Sequence, residues 1–132
     1  MTRFLALALM LATVSCTRRS GTAANGSPDY DAATEVVLSG TVQRIMLHLH
    51  DGPPVVHLIV RISGRDVAIH VAPPWFLKQQ GFEFRTGDEV KIVCSLQKDE
   101  PHYHARSVTK GSRTLTLRDA LGFPLWDQHR GD

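Results

Sequence analysis

The sequence predicts a mostly β protein, a small antiparallel β-barrel with one short helix. Two observations support this prediction. Apolar and polar residues alternate in several segments, which is typical of strands that bury one face. Turn-forming pairs, such as Ser63-Gly64 and Gly87-Asp88, separate these segments. The alternative is a two-sheet sandwich or another small barrel.

The first predicted strand covers residues 36–50 and contains Gly40. Its apolar side chains change parity between Val42 and Ile45, which predicts a β-bulge in a long, bent strand. The apolar positions are Leu38, Val42, Ile45, Leu47 and Leu49. Residues 51–54 then form a turn. We expect all five apolar residues to face the interior.

The second and third strands are predicted to form a hairpin. One face of each is apolar, and the residues on these faces are Val56, Leu58, Val60, Ile62, Val67, Ile69 and Val71. If Ser63-Gly64 is a two-residue loop, His57 lies opposite His70 on the outer face. If residues 51–54 form a four-residue loop, His48 of the first strand lies opposite His57.

The remaining segments complete the predicted topology. Residues 75–80 form a short helix that ends at Gly81, and its first two residues, Trp75 and Phe76, are expected in the core. A fourth strand alternates around Cys94, which is predicted to be a buried apolar residue. Residues 102–109 form a fifth strand, and a last hairpin spans residues 108–117. A helix between strands three and four of a five-stranded barrel makes the predicted domain OB-like.

The N-terminus predicts export. Residues 4–14 are apolar or small, too short a run to span a bilayer but suited to a signal peptide. Small residues before Cys16 resemble the lipobox of bacterial lipoproteins, in which the cysteine is lipidated. We therefore divide the chain into a signal peptide, 1–15, a lipidated Cys16 with a flexible tether, 16–33, and the barrel domain, 34–132. No Asp follows Cys16, which favours the outer membrane, facing the periplasm.

Composition narrows the function classes. With Cys16 lipidated, Cys94 is left without a partner for an intramolecular disulfide. The formal net charge is only +2, which argues against a nucleic-acid partner. No nucleophile-elbow or phosphate-binding motif is present, so the sequence predicts no enzyme.

Histidines are the candidate site residues. The predicted registers place His48, His57 and His70 in a row across three strands, with His50 on the same face. Adjacent strands lie about 4.8 Å apart, which is close enough for imidazoles to share a zinc or copper ion. The His102 and His104 pair on the fifth strand could extend this row, because strand five lies beside strand three in an OB barrel. An exposed polar face without metal is the alternative interpretation.

The C-terminal residues 115–126 predict a cap over one end of the barrel. Arg118 and Asp119 are expected to pair locally, and Gly122 and Pro124 shape a turn. Trp126 would then cover the open barrel end, although a role in a binding face is the alternative.

Three segments resemble a known family. They are residues 67–77 (VAIHVAPPWFL), 87–92 (GDEVKI) and 115–126 (LTLRDALGFPLW). Together they resemble the domain of the magnetosome-associated MamS and MamX proteins, over about residues 36–126. The resemblance implies an OB-like barrel outside the cytoplasm with a supporting role in metal, redox or envelope biology. No C-x-x-C-H motif is present, so haem chemistry is not implied.

Two functional hypotheses follow. The first is a non-catalytic lipoprotein module of the cell envelope, attached to the membrane by its lipid, that binds a small ligand or an envelope protein. The alternative is a periplasmic protein that binds or delivers a metal through the histidine row.

Overall fold

The computed structural model describes residues 26–49, 52–96 and 102–127. The predicted signal peptide, Cys16 and His50 lie outside these residues. The strands are β1 (Glu35–His48), β2 (Val55–Ile62), β3 (Arg65–Ala72), β4 (Glu89–Leu96), β5 (Tyr103–Lys110) and β6 (Arg113–Thr116). Helix α1 (Pro74–Gln79) lies between β3 and β4, and a 3₁₀ turn (Ala32–Thr34) precedes β1.

The strands form one sheet that closes into a ring. Their order is β3-β2-β1-β4-β5-β6, and an additional pairing joins β3 to β5. This closing pair is parallel, whereas all other strand pairs are antiparallel. The result is a small barrel-like domain with its helix between strands three and four. The predicted mostly β, OB-like fold is confirmed.

The β2–β3 register agrees with the predicted two-residue loop, and His57 lies opposite His70. The β1–β2 register differs from the prediction by two residues. His48 lies opposite Val55 rather than His57, because six residues, 49–54, connect the two strands instead of four. A shift of two residues keeps every side chain on its predicted face, so His48 still lies on the face of His57.

The predicted bulge in β1 is confirmed, with a register shift between Val42 and Arg44. Gly40 lies just before it, where β1 and β2 approach closely. A Cβ atom at Gly40 would collide with the carbonyl oxygen of Arg61 and the Ile62 side chain. The position therefore requires glycine for a steric reason.

Beyond the bulge, the interior prediction for β1 is wrong. Ile45, Leu47 and Leu49 are exposed, with Leu47 at 53%. The reason is that β4 pairs with β1 only from Glu35 to Thr41. The end of β1 has β2 beside it but no second strand to close the core over it.

The core contains the inward faces of β2 to β5. Leu58, Ile69 and Ile92 are fully buried, and so is Cys94, as predicted. Burial raises the pKa of the Cys94 thiol to about 12. Phe76 of α1 is buried, but Trp75 is 49% exposed, so its predicted core position is wrong. Helix α1 is a short amphipathic turn that directs Phe76 and Leu77, not Trp75, toward the core.

The segment before β1 contacts the domain although it was predicted to be tether. Tyr30 is buried, and the Ser27 amide donates a hydrogen bond to the Leu121 carbonyl. The Tyr30 hydroxyl donates to Glu35, which also accepts two hydrogen bonds from the Arg106 guanidinium, at 2.7 and 2.8 Å. No helix among the described residues is long and apolar enough to cross a membrane.

Candidate functional site

Five histidines meet on the outer face of the barrel, and we call them the histidine cluster. They are His48 of β1, His57 of β2, His70 of β3, His104 of β5, and His102, which immediately precedes β5. The strand registers bring them together, because His57 pairs with His70 and His70 pairs with His104. The predicted row and its predicted extension by strand five therefore occupy one surface.

The imidazole rings of the cluster are in contact. The His57 ring centre lies 4.7 Å from that of His48, 4.8 Å from that of His70 and 5.3 Å from that of His102. The rings of His70 and His104 are stacked at 4.5 Å. His57, His70 and His102 are thus the central members, and each touches three other rings.

Burial keeps the inner rings neutral. His57 and His104 are only 8% and 5% exposed. Burial, followed by the neighbouring His48 and His102, lowers the pKa of His57 to about 4. Burial also lowers the pKa of His70 to about 2 and that of His104 to about 3, with further contributions from Arg118. A buried histidine with these neighbours holds its proton poorly.

Arg118 lies beside the cluster and is 2% exposed. Its Nη1 donates a hydrogen bond to the Gly122 carbonyl at 2.8 Å, and its Nη2 lies 3.4 Å from His104 Nδ1. Because a guanidinium only donates hydrogen bonds, His104 Nδ1 must accept, which places the His104 proton on Nε2. Asp119 instead accepts from the amides of Leu121 and Phe123, so the predicted Arg118–Asp119 pair is wrong.

Buried nitrogens without a hydrogen-bond partner among the described residues occur in this region, and His57 Nε2, His70 Nδ1 and Arg118 Nε are among them. Buried polar atoms are nearly always satisfied in folded proteins, so an unsatisfied one calls for a specific explanation. A bound ligand is one such explanation.

The histidine cluster lines a groove of about 700 Å³, which we call the histidine groove. Its other walls include Arg118, Trp126, Asp29 and Asp127. Trp126 is 8% exposed and packs on Phe76, with 5.7 Å between the ring centres. It therefore contributes to the core and to the groove wall.

Three polar wall residues were not predicted as site residues. Asp29 belongs to the predicted tether, and Asp127 follows the predicted cap. Arg118 comes directly after Leu117 on an alternating segment, where a charged residue is usually solvated. The sequence feature that could have indicated the position of Arg118 is the turn at Gly122. At this turn φ is +85°, and the chain folds back so that Pro124 pairs with Arg118.

Chemically, the groove offers neutral imidazole nitrogens, one cation and two carboxylates. Neutral imidazole is a good ligand for zinc and copper. No group of three or more His, Cys, Asp or Glu side chains within residues 26–49, 52–96 and 102–127 is arranged to hold a metal ion.

Comparison with known protein families identifies the family of the barrel domain. The family model of the MamS/MamX magnetosome protein family matches residues 34–115, which is more than half of the chain. The matched region runs from the 3₁₀ turn through most of β6, so it includes all five histidines of the cluster. No curated protein matches the chain.

Proposed function

Because this chain belongs to the MamS/MamX magnetosome protein family, we propose that it is a non-catalytic binding module of the cell envelope. Its ligand site is the histidine groove. The observation that supports this site best is the convergence of five histidines from four segments of the barrel on one concave surface. Within it, His57 Nε2 and His70 Nδ1 are buried and have no hydrogen-bond partner among the described residues. A concave site with a few convergent polar groups is the usual form of a ligand pocket.

The chemistry of the groove favours binding over catalysis. A general base works best when its pKa lies near the working pH. The pKa values of His57 and His104, about 4 and about 3, make these imidazoles weak bases at neutral pH. Nor does the sequence contain a recognisable nucleophile motif.

Attachment to the membrane is the second part of the proposal. The apolar N-terminal segment and Cys16 support export, lipidation and placement on the periplasmic face of the outer membrane. The test compares wild type with Cys16→Ser by cell fractionation and intact-protein mass spectrometry. Wild type should be in the membrane fraction with a lipid-sized mass increase, and Cys16→Ser should lack both. A wild-type chain without lipid contradicts this part.

The ligand part is tested on the full chain purified from the envelope in detergent without an affinity tag. Bound molecules and ions are released by denaturation and identified by mass spectrometry and elemental analysis. A ligand of the groove should be present in wild type, absent in His57→Gln and retained in Trp75→Ala, whose side chain is exposed outside the groove. Wild type that carries no molecule or ion contradicts the proposal.

Metal binding or delivery is the second candidate function. The observation that favours it is the position of His57 Nε2 and His70 Nδ1 in the centre of the cluster, where neither has a hydrogen-bond partner within the described part of the chain. In that case the metal ion is the cargo of the envelope module.

A further inference from the structure

We propose that His57, His70 and His102 form a three-imidazole site for a zinc or copper(II) ion. The inference rests on the proposed function, because it specifies the ligand of the histidine groove. Three of the five clustered histidines are selected by the separations of their rings and by the contact of His104 with Arg118, neither of which the sequence alone provides.

The three ring centres are separated by 4.8, 5.3 and 6.1 Å. A single point can therefore be equidistant from all three, at about 3.2 Å from each ring centre. A metal–nitrogen bond of about 2.0–2.1 Å plus roughly 1.1 Å from the nitrogen to its ring centre gives the same distance. The backbone thus holds the three rings at the separation that a shared ion requires.

Ring orientation is what must change. The rings of His70 and His102 are nearly parallel, at 17°, whereas His57 is inclined to them by 66° and 49°. The χ2 torsion of histidine is broad, so rotation of a ring about it costs little compared with movement of a strand. The proposed site requires the rings of His70 and His102 to rotate about χ2 until one nitrogen of each is directed toward the common point.

The other two histidines of the cluster, His104 and His48, lie outside the three-imidazole site. Arg118 donates to His104 Nδ1, which uses that nitrogen and leaves the proton on Nε2. His104 therefore supports the site next to His70 rather than completing it. His48 stacks on His57 at the rim and is exposed. It provides a control position in the same cluster.

The charges of the groove are compatible with a cation. Arg118 is a positive charge beside the site, but Asp29 and Asp127 interact favourably with it. Those two carboxylates also border the groove. The three imidazoles are neutral ligands, a set that suits zinc and copper better than magnesium or calcium, which prefer oxygen.

The experiment titrates the full chain in detergent with zinc chloride and with copper(II) chloride, after treatment with a chelator, by calorimetry. Wild type should bind one ion at micromolar concentrations. His57→Gln and His70→Gln should weaken binding by on the order of 100-fold, because even outer-shell substitutions typically cost 10–100-fold. His48→Gln should weaken binding less than either of these variants, because His48 is exposed and lies outside the three-ring site.

Electron paramagnetic resonance of the wild-type copper complex avoids any dependence on variant folding. Hyperfine splitting from three imidazole nitrogens is expected, and fewer than three overturns the assignment. Unchanged affinity in a folded His57→Gln or His70→Gln variant also overturns it. Wild type that binds neither ion but carries another groove ligand refutes the metal site and leaves the proposed function standing. Wild type without any ligand refutes both.

Discussion

Acid should destabilise this protein well above the pH at which carboxylates protonate. His57, His70 and His104 are held neutral in the folded state, with pKa values far below the ordinary value of 6.5. The unfolded chain binds protons on these residues more readily than the folded chain does. Stability is therefore complete above pH 6.5 and falls as the pH decreases from 6.5 toward 4.

The size of this loss of stability follows from the same pKa shifts. At pH 5, protonation of one histidine in the unfolded chain lowers the free energy of unfolding by about 2 kcal/mol. The three histidines together therefore lower it by at most about 6 kcal/mol. The groove is open to water on one side, which roughly halves this effect to about 3 kcal/mol. For a domain of this size, that loss lowers Tm by roughly 12–15 °C.

Differential scanning calorimetry between pH 7.5 and pH 5.0, with a chelator present, measures the effect. Carboxylates interfere little in this window. The pKa values of Glu35 and Asp88 lie below their ordinary values of 4.5 and 3.8, so their contributions are lost only at lower pH. His70→Gln, which cannot titrate, should reduce the pH dependence by about one third. A Tm change under about 3 °C in wild type would refute the account of buried neutral histidines.

Three further predictions concern the fold. Gly40→Ala should lower the free energy of unfolding by roughly 2–3 kcal/mol in urea denaturation, because its Cβ meets backbone. The control Gly52→Ala adds a Cβ in open space and should change little, so equal effects would contradict the steric account. Trp126→Ala should cost about 3 kcal/mol by the same measurement, whereas the exposed Trp75→Ala should cost under about 1 kcal/mol. Full stability of Trp126→Ala would contradict the cap. Cys94 should not react with a thiol reagent at pH 8 until the protein is denatured, and rapid reaction of the folded protein would contradict its burial.

Local patterns predicted much of the fold. Period-two alternation with a two-residue turn determined the β2–β3 register, and the parity change after Val42 located the bulge. Both features depend on neighbouring residues alone. The match of the topology to an OB barrel then placed strand five beside strand three, which brought His104 next to His70.

Features that depend on distant parts of the chain were not predicted. The exposure of Leu47 depends on where β4 stops pairing with β1, which the β1 sequence does not encode. The contacts of Arg118 depend on the return of residues 118–127 across the barrel. An alternating sequence pattern does not indicate whether an outer face is covered by another segment or exposed to solvent. The burial of His57 accompanies its contacts with histidine rings from other strands, which its own segment does not encode.

The most direct test of the central claim is a crystal structure of the full chain purified from the envelope in detergent. We expect electron density for a ligand or ion in the histidine groove, in contact with His57 and His70. Ordered solvent alone in that groove, with a ligand bound at another surface, would contradict it.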